Sequence, residues 1–387
     1  MGKHLFFVAA PAAGHVNPVL PLVRELVRRG HRVTFACGPA HAGAIEDAGA
    51  EAVVLPWTLD PTALSRETFS TTSFVELLDG LLATAAPRLD ELVERAAGAE
   101  LVCFDATVAP VAAAVAQRLG VPAVALIASM AVNEHLPLAE LLPPDFRPDN
   151  EALVRYATRL HEFSADQGFA QPLVPMAAPP VPLTVVFVPP AFQLATETFD
   201  ETYRFVGPTV GAGDWEPPSG DRPVLLVSLG TAFTDRPDVF RACAAAFAGT
   251  EWHVVMSIGR TDPALLGELP SNVEAFASVP QLGVLRHATA FVSHAGMNSI
   301  MEALALEVPL VTLPQVPEQA LNARRVRELG LGEVLDSEAL TPELVRGTVL
   351  RVAGDPAVRD RLAWLAKEIT AAGGAAAAAD AVLGLLG

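Results

Sequence analysis

The N-terminal part of the chain alternates continuous apolar runs with amphipathic segments. A first run, HLFFVAA, begins at His4, and it is followed by NPVLPLVRELVRRG and then by HRVTFACG. In the middle segment Asn17 is a good N-cap, Pro18 suits the first helical position and Gly30 suits the end of a helix. A strand, a helix and a strand in this order predict a βαβ unit. Strands without polar alternation are typical of a parallel sheet that is covered on both faces.

The same alternation continues through the rest of the chain. Further strands are predicted at 51–57, 101–106, 123–129, 224–230, 252–259, 291–296 and 309–314. Helices are predicted at about 238–248, 281–287, 299–306 and 318–329, and the Ala- and Leu-rich segment after Thr341 is also predicted to be helical. The pattern therefore predicts an α/β fold with two doubly wound Rossmann-like domains that face each other across a cleft.

Composition shifts suggest where these domains divide. The segment from Gly207 to Pro223 is rich in Gly, Pro and Asp, which is typical of a linker. We predict an N-terminal domain at 1–206, a linker at 207–222 and a C-terminal domain at 223–370. A C-terminal helix at 371–387 is predicted to pack back on the N-terminal domain. A ligand between the two domains is the default expectation.

Net charge and cysteine content argue against several classes of protein. The 387 residues carry a net charge of −18, which argues against nucleic acid or an anionic membrane as the main partner. Cys37, Cys103 and Cys243 are widely spaced, so we interpret them as small buried apolar residues rather than as a disulfide or zinc framework. No apolar run reaches the length of about 20 residues that spans a bilayer. We expect a soluble, cytoplasmic protein, either a monomer or a homodimer.

Polar residues collect where the predicted C-terminal strands end. His294 and Gly296 follow one strand, and Ser299 with Glu302 has the Ser-x-x-Glu spacing of a capping box. A helix N-terminus with free N–H groups is also an anion site, so the same residues could hold a diphosphate. The segment SLGT, which begins at Ser228, repeats this arrangement at the end of another strand.

Two long segments resemble one known family. The segment SVPQLGVLRHATAFVSHAGMNSIMEALALEVPLVTLPQVPEQALNARRVRELGLG resembles the nucleotide-sugar-binding region of inverting GT-B glycosyltransferases. It is most similar to the bacterial macrolide and natural-product branch of the UDP-glycosyltransferase superfamily. PAAGHVNPVLPLVRELVRRGHRVTF and FVGP resemble the acceptor domain of the same family, so the resemblance covers nearly the whole chain.

The resemblance implies a set of donor-binding residues. His294, Asn298, Ser299 and the backbone of Gly296 would hold the diphosphate, and Glu302 would accept hydrogen bonds from the ribose hydroxyls. Glu318 and Gln319 would bind sugar hydroxyls, which favours UDP-glucose over a dTDP-deoxysugar, although the same pair could simply begin a solvated helix. The remaining donor-binding candidates are Ser228, Gly230, Thr231, Ser278, Val279 and Gln281.

The sequence departs from the family pattern at Ser278. The family usually has a large aromatic residue at this position, and the nucleobase stacks on it. An aromatic platform is worth about 1–3 kcal/mol in single-strand binding systems. Either donor binding is altered by this serine, or the backbone around Val279 holds the base unaided.

The resemblance also implies a general base. His15 matches the histidine that deprotonates the acceptor hydroxyl, and Asp105 matches the carboxylate that orients it. Asp105 could also cap the helix that follows it. The reaction would be a single displacement that inverts the anomeric centre. No Asp-x-Asp motif occurs in the chain, so we expect metal independence, no bound cofactor and a nucleotide sugar as co-substrate.

The acceptor is expected to be a small hydrophobic molecule such as a macrolide, a polyketide or a phenol. Candidate contacts in loops after the N-terminal strands are Trp57, Phe74, Leu78, Met130 and Asn133, although each of these residue types is more often part of a core.

Other classes of protein remain as alternatives. A dinucleotide-dependent dehydrogenase would need G-x-G-x-x-G after a strand, and the first turn reads AAPAAGHVNP. A nucleotide-sugar epimerase would keep the fold, as would a lipid-linked cell-wall transferase, but the latter would expose a basic apolar patch. A non-catalytic binding paralogue would fit the loss of the aromatic residue at Ser278.

Overall fold

The computed structural model describes residues 2–58, 69–136, 141–176, 179–211, 213–217, 220–232 and 234–387. Within these residues the strands form two parallel sheets. The first sheet contains β1 (His4–Val8), β2 (Arg32–Cys37), β3 (Glu51–Val54), β4 (Leu101–Asp105), β5 (Ala123–Ile127), β6 (Leu183–Val186) and β7 (Tyr203–Phe205). The second contains β8 (Val224–Ser228), β9 (His253–Ser257), β10 (Val273–Phe276), β11 (Ala288–Ser293), β12 (Leu310–Thr312) and β13 (Gly332–Val334).

Both sheets have the doubly wound strand order. The first runs β3-β2-β1-β4-β5-β6-β7 and the second runs β10-β9-β8-β11-β12-β13. In each sheet the direction of winding reverses at one place, between β1 and β4 and between β8 and β11. Ligands of open α/β sheets bind at such switch points, outside the carboxyl ends of the strands. The predicted fold class, with two Rossmann-like domains, is confirmed.

Helices cover both faces of the sheets. In the N-terminal part they are α1 (Ala13–Val16), α2 (Leu20–Arg28), α3 (Ala42–Asp47), α4 (Thr71–Ala85), α5 (Leu89–Arg95), α6 (Ala109–Leu119) and α7 (Glu151–Asp166). In the C-terminal part they are α8 (Pro237–Phe247), α9 (Gln281–Leu285), α10 (Met297–Ala305), α11 (Pro317–Glu328), α12 (Pro342–Gly354), α13 (Pro356–Ala372) and α14 (Gly374–Gly384).

The first predicted helix begins differently from the sequence prediction. Asn17 does not cap a helix N-terminus; it is the C-cap of α1, with φ −56° and ψ −41°. The reason is that the chain already turns into a helix after Ala12, directly behind β1. The predicted end is right, because Gly30 follows α2 with φ +86°. Placing His15 inside α1 sets its position beside the sheet.

Four strands were not predicted: β6, β7, β10 and β13. β7, β10 and β13 have three or four residues that include a charged one, and β6 lies next to a Pro-rich segment, so no continuous apolar run identifies them.

The chain crosses between its two halves more than once. The described part of the predicted linker, between β7 and β8, contains no helix or strand, and its Trp215 lies against the rings of His253 and His287. Beyond the second sheet, α14 packs against α2 and β6, and its Ala378, Ala379 and Val382 are buried in the core under the first sheet. The predicted boundary between 370 and 371 falls within the last turn of α13, because the C-terminal helix begins only at Gly374. The domain boundaries stay a prediction.

Direct contacts hold the two halves together. On α11, Arg325 donates hydrogen bonds to the carbonyls of Ala191 and Phe192, at 3.0 and 2.9 Å. Thr209 donates to the carbonyl of Pro18. An apolar cluster that includes Met130 and Phe192 from one half and Phe291 and Ile300 from the other is continuous across the junction. No helix in the described ranges is long and apolar enough to cross a membrane.

Candidate functional site

The first part of the site is a histidine–aspartate pair at the switch point of the N-terminal sheet. His15 follows β1 and Asp105 is the last residue of β4, so the strand order places them side by side. His15 Nδ1 is paired with Asp105 Oδ2. The Asp105 side chain is 8% exposed and that of His15 is 39% exposed, so the carboxylate lies behind a ring that reaches the cleft.

Asp105 is held by the backbone as well as by His15. Its Oδ1 accepts a hydrogen bond of 2.9 Å from the Thr107 N–H, and its Oδ2 accepts one of 3.4 Å from Ala10 N–H. The carboxylate therefore caps the 3₁₀ turn at Ala106–Val108 and also faces the imidazole. The geometry is compatible with both interpretations of Asp105, and its catalytic role stays a prediction. The sequence did not indicate that Thr107 also belongs to this pair, but its hydroxyl lies 3.4 Å from His15 Nδ1.

The pair favours the charged form of each partner. Burial opposes protonation of His15, but the charge of Asp105 and its hydrogen bond to the ring outweigh burial, so the pKa of His15 is raised. The charge of Glu318, from the opposite sheet, acts in the same direction. Burial would raise the pKa of Asp105, but His15 and the hydrogen bonds from Thr107 hold that pKa below its usual range.

The second part of the site lies at the switch point of the C-terminal sheet. β8 continues into Ser228-Leu229-Gly230-Thr231, and β11 continues into His294-Ala295-Gly296. The His294 ring fills the space between the two turns: a methyl group at Gly230 would lie 2.6 Å from its Nε2 and Cε1 atoms, and one at Gly296 would also collide with it. Gly230 has φ +79°, so both the space and the backbone require glycine here.

His294 is a neutral ring in this position. His294 is 9% exposed. Burial lowers the pKa of His294 to about 4, and a hydrogen bond with the Ser228 backbone opposes this lowering. At neutral pH the ring can therefore donate one hydrogen bond but carries no positive charge.

The helix that follows begins earlier than predicted. α10 starts at Met297 with Gly296 as its N-cap, and no side chain caps it. Ser299 lies in the first turn instead of preceding it, so the predicted Ser299–Glu302 capping box is wrong. Gly296 has an extended backbone, and because it lacks a side chain it leaves room for the His294 ring where the chain enters the helix. The N–H groups of the first turn are thus left pointing at the cleft without a capping side chain.

Ser299 and Glu302 are joined through a residue of α9 instead. Gln281 Nε2 donates to Glu302 Oε2 at 2.7 Å and to Ser299 Oγ at 3.2 Å. Burial raises the pKa of Glu302, and the hydrogen bond from Gln281 opposes that rise. Next to them Ser278 is exposed and Val279 is half-buried, so this end of the site has no aromatic ring at 278.

Asn298 joins the two parts of the site. Its Nδ2 donates a hydrogen bond of 2.9 Å to the carbonyl of Gly14, the residue before His15. The start of α10 and the start of α1 therefore touch across the cleft. Of the other polar candidates, Glu318 accepts from Asn322, while the buried Gln319 accepts from the Gln315 N–H at 2.9 Å and so supports its own loop.

The predicted acceptor contacts occupy different environments. Trp57 is 2% exposed and donates to the Leu81 carbonyl, and Leu78 is 6% exposed in the same core. Met130 is 3% exposed in the cluster between the halves. Phe74 and Asn133 are half-buried, and Asn133 bonds to Thr198. In this conformation Phe74 and Asn133 present the most surface, and the acceptor assignment stays a prediction for all five.

The described residues contain no group of three or more His, Cys, Asp or Glu side chains placed to hold a metal ion. The polar groups of the cleft are instead hydrogen-bond donors of the backbone, amides and imidazole rings, together with the carboxylates Asp105, Glu302 and Glu318. Such a set can bind an anion and hydroxyl groups on one side and accept a proton on the other.

Known proteins share this sequence and architecture. A family model described as "Erythromycin biosynthesis protein CIII-like, C-terminal domain" matches residues 242–383. NDP-glycosyltransferase YjiC of Bacillus subtilis (strain 168) is 38% identical to the chain, over 97% of this chain and 95% of that protein. Oleandomycin glycosyltransferase of Streptomyces antibioticus is 37% identical, over 98% of this chain and 90% of that protein. The crystal structure of CalG4, the calicheamicin glycosyltransferase, superposes with a TM-score of 0.84 at 39% identity, covering 100% of this chain and 98% of that one.

Proposed function

Because this chain belongs to the natural-product branch of the UDP-glycosyltransferase superfamily and has the GT-B fold, we propose that it transfers a hexose from UDP-glucose to a hydroxyl group of a hydrophobic natural product. That the chain is a glycosyltransferase follows from its family. The donor, the base and the independence from metal are the proposed parts. Oleandomycin glycosyltransferase and CalG4 are relatives whose names point to natural products, which supports an acceptor of that class.

The observation that carries the proposal is the pairing of His15 with the buried Asp105 beside the start of α10. In the proposed reaction His15 Nε2 takes the proton of the acceptor hydroxyl, and the hydroxyl oxygen attacks the anomeric carbon of the donor sugar. Asp105 keeps the Nδ1–H oriented and stabilises the imidazolium that forms. Attack from the side opposite the diphosphate converts an α-linked donor into a β-linked product.

The leaving diphosphate is proposed to bind at the start of α10. The N–H groups of its first turn, the partial positive charge of the helix end and the His294 N–H would share the developing charge. Glu302 would accept from the ribose hydroxyls, with Gln281 holding the carboxylate in place. Glu318 would accept from sugar hydroxyls. The lack of an Asp-x-Asp motif supports metal independence.

A non-catalytic nucleotide-sugar-binding role is the alternative that the exposed Ser278 favours, because the site lacks the ring on which a base would stack. The intact His15–Asp105 pair supports catalysis instead. If the donor is a dTDP-deoxysugar, the roles of His15, Asp105 and His294 are unchanged. The contacts of Glu318 and Gln319 with the sugar would differ, and Glu302 would meet a 2′-deoxyribose, which has one hydroxyl fewer.

Calorimetric titration with UDP, dTDP, UDP-glucose and a dTDP-deoxysugar, each in EDTA, tests the proposal. We expect the wild-type protein to bind one nucleotide without metal and to transfer its sugar to a phenolic or macrolide acceptor with inversion. His15→Ala is expected to keep nucleotide binding and to lose transfer. His161→Ala, an exposed histidine on α7, is the matched control and is expected to keep both. Binding without any transfer or donor hydrolysis would support the non-catalytic role.

A further inference from the structure

Asn322 is a buried amide on α11 that lies behind the donor side of the cleft. It is 1% exposed, and its Nδ2 donates 3.1 Å to the Ala295 carbonyl and 2.6 Å to Glu318 Oε1. Both partners are acceptors, so the orientation of the amide is fixed by the contacts themselves. The two N–H groups of one side chain are thus divided between a turn that follows β11 and a carboxylate that faces the cleft.

The turn that Asn322 holds is strained. Ala295 is fully buried and has φ +66°, in the left-handed region that residues with a Cβ rarely adopt. Its N–H is held by Ser293 Oγ at 3.2 Å, and its carbonyl is held by Asn322. A strained conformation persists only where its surroundings fix it. The turn also sets the positions of His294 and Gly296, the residues proposed to meet the diphosphate.

The carboxylate that Asn322 holds is Glu318. Burial raises the pKa of Glu318, and the hydrogen bond from Asn322 and the charge of His15 oppose that rise. The bond therefore fixes one carboxylate oxygen and favours the ionised, accepting form of the group. An aspartate at 322 has nearly the same shape but offers no N–H, so it would face a carbonyl and a second carboxylate.

We propose that Asn322 is a positioning residue that sets the diphosphate-binding turn and the Glu318 carboxylate in one arrangement, so that the diphosphate and the transferred sugar are bound as a unit. This proposal rests on the proposed function. It predicts that Asn322 contributes chiefly to the additional affinity that the sugar gives to a nucleotide, a quantity that a purely structural residue would not change.

The chain offers a matched control in the same domain. Asn272 is 6% exposed, and its Nδ2 donates to the carbonyls of Phe247 and Trp252 at 2.8 and 2.7 Å. It is therefore also a buried asparagine that bridges two acceptors, but it precedes β10, at the amino end of the strand and away from the cleft. Asn272→Ala should lower the unfolding temperature about as much as Asn322→Ala and leave ligand binding unchanged.

The experiment measures dissociation constants for UDP and UDP-glucose, and for dTDP and dTDP-glucose, on the full chain. Asn322→Ala is expected to reduce the affinity ratio of sugar nucleotide to free nucleotide by about tenfold. In the Glu318→Ala background the same substitution should leave the ratio unchanged, because the carboxylate through which it acts is gone. Asn322→Asp, which keeps the volume of the side chain, is the second variant and is expected to lower the ratio in the same way.

The outcomes separate this proposal from the function on which it rests. If the wild-type protein binds none of the four probes, the proposed function fails and the role of Asn322 fails with it. If the wild type binds a sugar nucleotide and both Asn322 variants keep the wild-type ratio, the positioning role alone is overturned. A fall in the ratio that persists at full size in the Glu318→Ala background would also overturn it.

Discussion

The Gly230 α-carbon lies so close to the His294 ring that a methyl group there would approach its Nε2 and Cε1 atoms to 2.6 Å. The turn after β8 and the turn after β11 are thus fitted to each other through one buried imidazole. Because the backbone at Gly230 also has φ +79°, a side chain is unfavourable there for two independent reasons.

Gly230→Ala should therefore destabilise the protein and weaken nucleotide binding. We expect a loss of about 2 kcal/mol or more in the free energy of unfolding, from overpacking and from backbone strain. Urea denaturation and a nucleotide titration would measure both effects. Gly80→Ala is the control, because Gly80 lies in α4 with open space around its α-carbon, and it should stabilise the protein by about 0.5–1 kcal/mol. Equal behaviour of the two variants would show that the fit to His294 is unimportant.

The His15–Asp105 pair gives a prediction about the pH dependence of transfer. The base must be neutral, so the rate rises with pH through the pKa of His15, which Asp105 raises. Asp105→Asn removes that effect, so the acidic limb of the pH–rate profile should move to lower pH. The plateau rate should fall by roughly a hundredfold, because the imidazolium is no longer stabilised.

Initial rates between pH 5 and about pH 9 would measure this shift, with saturating donor. Asp380→Asn is the control, since Asp380 is an exposed residue of α14 that pairs with Arg29 far from the cleft. An acidic limb that stays in place in Asp105→Asn would contradict the assignment of His15 as the titrating base.

Ser278 allows a gain-of-function prediction. Restoring an aromatic ring by Ser278→Trp should strengthen nucleotide binding by about 1–3 kcal/mol, if the base lies over this exposed position. The measurement is calorimetric titration with UDP and with uridine monophosphate, which share the base. Ser278→Leu supplies apolar area without a ring and should give a smaller gain. Unchanged or weaker binding by the Trp variant would indicate that the backbone around Val279 holds the base in another place.

His294 links the site to the acid stability of the fold. Its pKa of about 4 lies below the ordinary value of 6.5, so below pH 6.5 the unfolded chain takes up a proton that the folded chain refuses. The folded state should lose up to about 3 kcal/mol from this group as the pH falls from 6.5 to 4.

His294→Gln cannot titrate, so its unfolding free energy should fall less than that of the wild type between pH 7 and about pH 4.5. Urea denaturation at the two pH values would give the difference, and the exposed His161→Gln would serve as the reference. Parallel curves for the wild type and His294→Gln would contradict the buried, neutral state of this ring.

Much of the fold could be predicted because most of the strands are continuous apolar runs in the sequence. β1, β4 and β8 are fully buried, as are the last four residues of β11, and the residues at the ends of these strands could be identified as candidates from position alone. The helix starts were less predictable. At Asn17 and Ser299 a good capping residue is present, but the backbone enters the helix earlier, and only the three-dimensional path of the turn decides this.

The hydrogen-bond partners within the site were the least predictable part. Asn322 lies four residues after Glu318, a spacing that places both on one helix face, and this was the only sequence signal for their contact. Its second partner, Ala295, is 27 residues away in the chain. Likewise Trp57 and Leu78 have the composition of a pocket lining, but their burial depends on how α4 packs against the sheet.

The position of α14 has a consequence for the order in which the protein can mature. During translation β1 to β7 leave the ribosome long before residues 374–384, yet Ala378, Ala379 and Val382 complete the core under the first sheet. Until then α2 and β6 lack the apolar cover that α14 gives them, and apolar surface exposed in this way favours aggregation. The whole second sheet is made in the meantime, so the first half reaches its final packing only after the other half has been synthesised.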